Sequence, residues 1–124
     1  MNESFGRKEK LKSKILITRL FTEGKSLNKY PLKLVYLPVS EARYDTLQTA
    51  VSVPKRNFKK AVDRIYLKRL MREAFRKNKY LVTSNMDLKY ALMFIYIGRE
   101  QVCYQKLFKV TEELLKRFTE KELK

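Results

Sequence analysis

The stretch from Lys89 to Ile97, KYALMFIYI, is almost continuously apolar. That is the pattern of a strand buried on both faces, so it commits the chain to a sheet covered by other elements. Residues 32–39 (LKLVYLPV) read as a strand too, with Pro38 at its end, where a missing N–H costs little. Residues 47–53 (LQTAVSV) read as another, antiparallel to the 32–39 strand. Alternation along it sets Thr49, Val51 and Val53 on one face and Gln48, Ala50 and Ser52 on the other. The second face is small and polar, suited either to solvent or to the floor of a cleft.

Helical spacing accounts for the rest. Ser13 fits the N-cap of a helix from Lys14 to about Thr22, with Leu16, Ile17, Leu20 and Phe21 as its apolar stripe. Gly24 fits a left-handed stop after it. A long helix is expected from about Ala61 to Asn78, with Asp63 at the positive end of its dipole. Residues 104–121 form a last amphipathic helix, with Leu107, Val110, Leu114 and Leu115 at core spacing. Residues 40–46 read as a polar loop and residues 1–10 as a frayed, flexible start, which leaves residues 11–124 as one domain. The order of helix, strands, helix, strand, helix defines an α+β domain with a small sheet.

The residue inventory removes whole classes of chemistry. The 124-residue chain contains no histidine, so it holds no Ser-His-Asp triad, Cys-His pair or histidine metal site. Cys103 is the single cysteine, which excludes a disulfide framework and any multi-cysteine zinc site. It is read as a small residue near the start of the last helix, and a lone thiol suits a reducing cytosol. No apolar run approaches the roughly 20 residues that span a bilayer, and the basic N-terminus lacks the apolar core of a secretory signal. A standalone nuclease would need a carboxylate cluster or a histidine base, and the acids are dispersed.

What the chain does carry is charge. Its net charge is +16, and residues 55–79 alone hold 11 basic and 2 acidic side chains, net +9. Residues 31–54 and 80–97 are each neutral overall. A run of Lys and Arg is often only a solvated helix face. A balanced face would serve solubility equally well, so the concentration points to a polyanion site. Lys55, Arg56, Lys59 and Lys60 pack the connection before the long helix. On the helix, at about 100° per residue, Arg64, Lys68, Arg69, Arg72 and Arg76 gather along one edge. Val62, Tyr66, Leu67, Leu70, Met71 and Ala74 fall toward the core. Glu73 lies at the border, four residues after Arg69 and in reach of it. Phe75 falls among the cations.

The segment Val51–Arg76, VSVPKRNFKKAVDRIYLKRLMREAFR, resembles the protein component of bacterial ribonuclease P. The specific elements are KR-x-x-x-K-A-V after a strand and KRLMREAFR on the helix. Leu11–Gly24 and the LKLVYLP strand resemble the family's first helix and first long strand, so the likeness runs through roughly residues 11–118 in order. The sequence departs from the family at Arg64-Ile65-Tyr66, where the signature reads Arg-Asn-Arg. Ile65 then lies within the basic arc. Tyr66 is read first as a core residue, with stacking on a base as the alternative.

The resemblance implies a single α+β domain with a four-stranded sheet and a left-handed β-α-β crossover, similar to a small-subunit ribosomal protein domain. It implies an accessory subunit of an endoribonuclease whose catalyst is RNA, with Mg2+ bound mainly by that RNA. The partners implied are the catalytic RNA and precursor tRNA, whose 5′ leader is removed in the cytoplasm. No membrane or small-molecule substrate is implied, and no catalytic or metal-binding residue in the protein. The cations expected to meet RNA are Lys12, Lys14, Lys55, Arg56, Lys59, Lys60, Arg64, Lys68, Arg69, Arg72 and Arg76. Phe21, Tyr36 and Ser52 are expected at a leader cleft between the first helix and the sheet, although Phe21 and Tyr36 fit a core equally well. A ribosomal-protein-like RNA binder has the same composition, but not the Val51–Arg76 motif. A DNA-binding or membrane-surface protein would need the helix's apolar face, which the core requires.

Overall fold

The computed structural model describes residues 14–38, 48–83 and 90–122. Its elements in chain order are α1 (Lys14–Glu23), β1 (Lys25–Lys29), β2 (Leu32–Pro38), β3 (Gln48–Ser52), α2 (Ala61–Asn78), α3 (Tyr80–Thr83), β4 (Tyr90–Tyr96) and α4 (Tyr104–Glu122). The frayed start, the Ser13 cap and the 40–46 loop lie outside the described residues.

The four strands are ordered β1-β2-β4-β3. β4 is the apolar stretch on which the sequence reading rests, and it sits inside the sheet. It pairs antiparallel with β2, in the register Val35↔Met93, and parallel with β3, in the register Ala50↔Met93. The expected pairing of the 47–53 strand with the 32–39 strand is therefore corrected. The two run in opposite directions, as expected, but β4 lies between them. A strand with two apolar faces is most stable where it also has two hydrogen-bonding neighbours, and only the centre of a sheet offers both. β3, α2 and β4 make up a parallel β-α-β unit.

β1 has no counterpart in the sequence reading. Its sequence, KSLNK, exposes most side chains and half-buries only Leu27 and Lys29. It is an edge strand held to β2 by backbone pairing from Lys25↔Tyr36 to Lys29↔Leu32. Gly24 does not adopt the expected left-handed conformation, since no described glycine has positive φ. It is needed for space. A Cβ there would collide with the Leu20 carbonyl oxygen and come within 2.9 Å of Val35 Cγ1. The glycine lets the chain pass directly from α1 into β1, tight against β2.

The parity of the strands divides the core in two. Leu32, Leu34 and Tyr36 of β2 and Leu92, Phe94 and Tyr96 of β4 face α2 and α4, meeting Leu67, Met71 and Phe75 of one and Leu107, Leu114 and Phe118 of the other. The other sheet face presents Val35, Leu37, Ala91 and Met93, capped by Leu20 and partly by Ile17 of α1. Asn78 ties the two large helices together, donating from Nδ2 to the Ala74 carbonyl at 2.9 Å and the Phe108 carbonyl at 3.3 Å.

The buried stripe of α2 is Leu67, Met71, Ala74, Phe75 and Asn78. This corrects three expectations. Phe75 does not lie among the cations; it is buried, with its ring 5.8 Å from that of Phe94. Val62 and Tyr66 do not face the core; both are exposed. The physical reason is where the helix starts. None of the residues from Ala61 to Tyr66 is buried, so α2 begins beyond the sheet and enters the core only at Leu67. The i, i+4, i+7, i+8 stripe counted from that point includes Phe75 and leaves out Val62 and Tyr66.

Candidate nucleic-acid interface

The cationic connection is built around one apolar anchor. Phe58 is buried between Lys59 on one side and Arg56 two residues before it, with its ring edge-on to Tyr96 at 5.5 Å. The Asn57 and Phe58 amides both donate to the Pro54 carbonyl, at 3.1 and 3.3 Å, and Asn57 Nδ2 reaches the Tyr96 carbonyl at 3.4 Å. With the backbone pinned at its apolar residue, Lys55, Arg56, Lys59 and Lys60 are all left outward and exposed.

Arg64 holds this loop to the helix. Its Nη1 donates to the carbonyls of Phe58 and Lys59 at 2.8 and 2.9 Å. Part of the guanidinium therefore positions the neighbouring cations, a role that the charge pattern alone did not show. Further along α2, Arg69 and Arg72 are exposed, and Lys68 and Arg76 are half-buried. Glu73 pairs with Arg76, whose Nε lies 3.0 Å from Oε2, and not with Arg69 as expected. The Arg76 hydrogen bond holds the Glu73 carboxyl below its usual range against the opposing effect of burial, with the charges of Arg76 and Lys77 adding to it. Arg76 is thus partly neutralised within the protein. Lys79, the last cation of the basic segment, is buried and does not belong to the outward face. Lys12 lies outside the described residues, and Lys14 is placed only as the first residue of α1.

The expected cleft residues separate. Phe21, on α1, is 61% exposed and stands clear of the core. Ser52 is half-buried on the α1 side of the sheet, in a row with Ile95 and Lys33 set by the pairings Ser52↔Ile95 and Lys33↔Ile95. Tyr36 is a correction. It is buried on the opposite face, edge-on to Phe118 at 5.0 Å, and its hydroxyl donates to Glu122 Oε2 at 3.4 Å. Burial, and then the Glu122 carboxylate, raise its pKa. Its neighbour Val35 is the residue that points toward α1. The sequence reading missed Lys33. The available signal was a lone cation inside an apolar strand, at the parity opposite to Leu32 and Leu34. It also missed the exposure of Val62, for which the signal was its place five residues before Leu67, about 140° around the helix at 100° per residue.

Among the described residues no three His, Cys, Asp or Glu side chains gather into a metal-binding group, and no helix is long and apolar enough to cross a membrane. The fold and the interface together define a small α+β domain with one strongly cationic face. The family described as Ribonuclease P matches residues 5–119, and the chain belongs to that family. A ribonuclease P protein component from Porphyromonas gingivalis is 43% identical over 78 residues, 63% of this chain. That alignment spans 57% of the relative's own length. The protein component from Thermotoga maritima is 39% identical over 89 residues, covering 71% of this chain and 72% of the relative. The solved structure of the Thermotoga maritima protein superposes with a TM-score of 0.71 at 25% identity, covering 88% of this chain and 96% of that one.

Proposed function

We propose that this protein is the accessory subunit of ribonuclease P. It binds the catalytic RNA through the face running from Lys55 to Arg76 and assists removal of the 5′ leader from precursor tRNA. The observation that carries this reading is the outward placement of Lys55, Arg56, Lys59, Lys60, Arg69 and Arg72 on a pinned loop and one helix, in a chain of this family. Exposed cations along one edge neutralise successive phosphates and release their counterions, which makes binding strong at low salt and steeply salt-dependent. Arg is suited to this, since its planar fork meets two phosphate oxygens at once.

The leader is assigned to the α1 side of the sheet. α1 packs on β2 and β4, and Ser52 of β3 is on the sheet face that α1 covers. Phe21, Ile95, Ser52 and Lys33 there supply an exposed ring, an apolar floor, a hydroxyl and a cation. Stacking and backbone charge of this kind suit a single strand of variable sequence. The protein supplies binding and orientation; Mg2+ is assigned to the partner RNA, where it activates the attacking water. The cytoplasm is the assigned compartment.

Reconstitution tests this. Protein alone should leave precursor tRNA intact, and protein added to the catalytic RNA with Mg2+ should restore leader removal at salt levels where the RNA alone is weak. Robust cleavage by RNA-free protein would overturn the accessory role.

A further inference from the structure

The first turns of α2 carry an apolar surface that neither the core nor the phosphate-binding reading uses. Val62 is 76% exposed, Ile65 57% and Tyr66 48%. Val62 lies between Ile65 and Tyr66 on the helix surface, three residues before one and four before the other. Single exposed apolar side chains are ordinary; three large ones clustered within about one helix turn are not. Cations frame them. Lys59 and Lys60 precede the helix, Arg69 follows Ile65 by one turn, and Arg72 continues that edge. The acids of this helix are turned away or engaged. Asp63 falls on the Leu67 side, and Glu73 is bonded to Arg76.

We infer that Val62, Ile65 and Tyr66 form a receptor for an unstacked nucleobase of the bound RNA, with flanking phosphates held by Lys59, Lys60 and Arg69. This rests on the reading of the helix as an RNA-binding face, and specifies what that face recognises. A nucleotide has the matching chemistry: a flat, weakly polar ring joined on both sides to phosphates. The Tyr66 ring offers a stacking surface, and Val62 and Ile65 shield its edge from water. Other occupants fit less well. A second copy of the chain would bring two of these strongly cationic segments together. A stable protein interface buries about 800 Å2 per partner, far more than three side chains on one helix turn supply. Paired RNA would meet the cations but would offer the apolar trio only sugar and phosphate edges. The site therefore reads for unpaired nucleotides, which phosphate contacts alone cannot do.

The test uses the full chain and two short RNA hairpins, one fully paired and one with a single bulged base replaced by the fluorescent analogue 2-aminopurine. The protein should bind the bulged hairpin about tenfold more tightly, as expected for one base–aromatic stack, and should quench the 2-aminopurine. Tyr66→Leu should bring the bulged hairpin down to the affinity of the paired one with an unchanged salt slope, whereas Tyr66→Phe should keep the preference. Equal binding of both hairpins by the parent protein, or a preference that survives Tyr66→Leu, overturns the inference while leaving RNA binding intact. Salt-independent binding, or none, overturns the RNA reading as well. Concentration-dependent dimerisation abolished by Ile65→Asp would assign the surface to a second copy instead. The quenching is read on the unaltered protein, so the test does not depend on any variant folding.

Discussion

α2 and α4 are near-equal helices, 18 and 19 residues long, packed against each other on the same face of the sheet. Both sink one stripe into a single core, yet their charges are arranged differently. Two of the acids of α4 engage cations elsewhere in the fold: Glu113 lies 3.3 Å from Lys29 Nζ, and Glu122 3.7 Å from Lys25 Nζ. Arg117 turns back onto Glu113 and also donates to the Asn28 carbonyl at 3.2 Å. α4 thereby fastens the edge strand β1. On α2 the acids satisfy little: Glu73 engages Arg76, and Arg69 and Arg72 remain exposed. The large exposed apolar side chains follow the same division. Three sit on α2, and none on α4. Equal burial with unequal surface chemistry separates what holds the fold together from what is kept for a partner.

The strongest way to break this comparison is through the core. Phe75→Ala on α2 and Phe118→Ala on α4 should each cost about 3–5 kcal/mol in urea denaturation, because both rings are fully buried. A small loss for either would mean that the two helices are not equal partners in the core. The next effect is specific to one helix. Arg72→Ala should weaken binding to the catalytic RNA by about 1–3 kcal/mol and flatten the salt slope by about one unit. Lys116→Ala on α4, also an exposed cation, should shift the affinity by less than about 0.5 kcal/mol and leave stability within the same range. Gel-shift titrations across salt decide both, and equal effects would erase the distinction.

A pH effect sharpens the α4 side. Burial first, and then the nearby Tyr30, push the Tyr96 hydroxyl up to about 12, and burial and Glu122 raise those of Tyr36 and Tyr90. Each is neutral in the fold and ionises nearer 10 once unfolded. The stability these groups contribute is complete below pH 10 and is lost as pH rises through each raised folded value, about 12 for Tyr96. Urea midpoints should fall over that window, and Tyr90→Phe should make the fall shallower. The smallest effect returns to α2. Glu73→Gln should release Arg76 from its carboxylate, tighten RNA binding by a few tenths of a kcal/mol, and change stability by no more than about 0.5 kcal/mol.

Local pattern determined a great deal. The bounds of α2 follow from its apolar spacing and the cations before it, and the bounds of β4 and α4 lie within a residue or two of the expected ones. The cationic face was legible because charge is additive along the chain and a run of Lys and Arg has no stable place inside a core. Alternation correctly set Thr49 and Val51 against Ala50 and Ser52 on the two faces of β3. Only the tertiary structure decided the rest. Alternation says that a strand has two faces but not which helix covers each, so Tyr36 fell on the α4 side and Val35 on the α1 side. β1 is polar because an edge strand is held by backbone pairing, which leaves no hydrophobic trace. β4 entered between β2 and β3 because strand order is set by contacts far apart in sequence. Where α2 crosses into the core depends on how far the sheet extends beneath it. Once Leu67 is fixed as the point of entry, helical spacing turns Phe75 inward and Val62 and Tyr66 outward, but the point of entry itself is not encoded in that spacing.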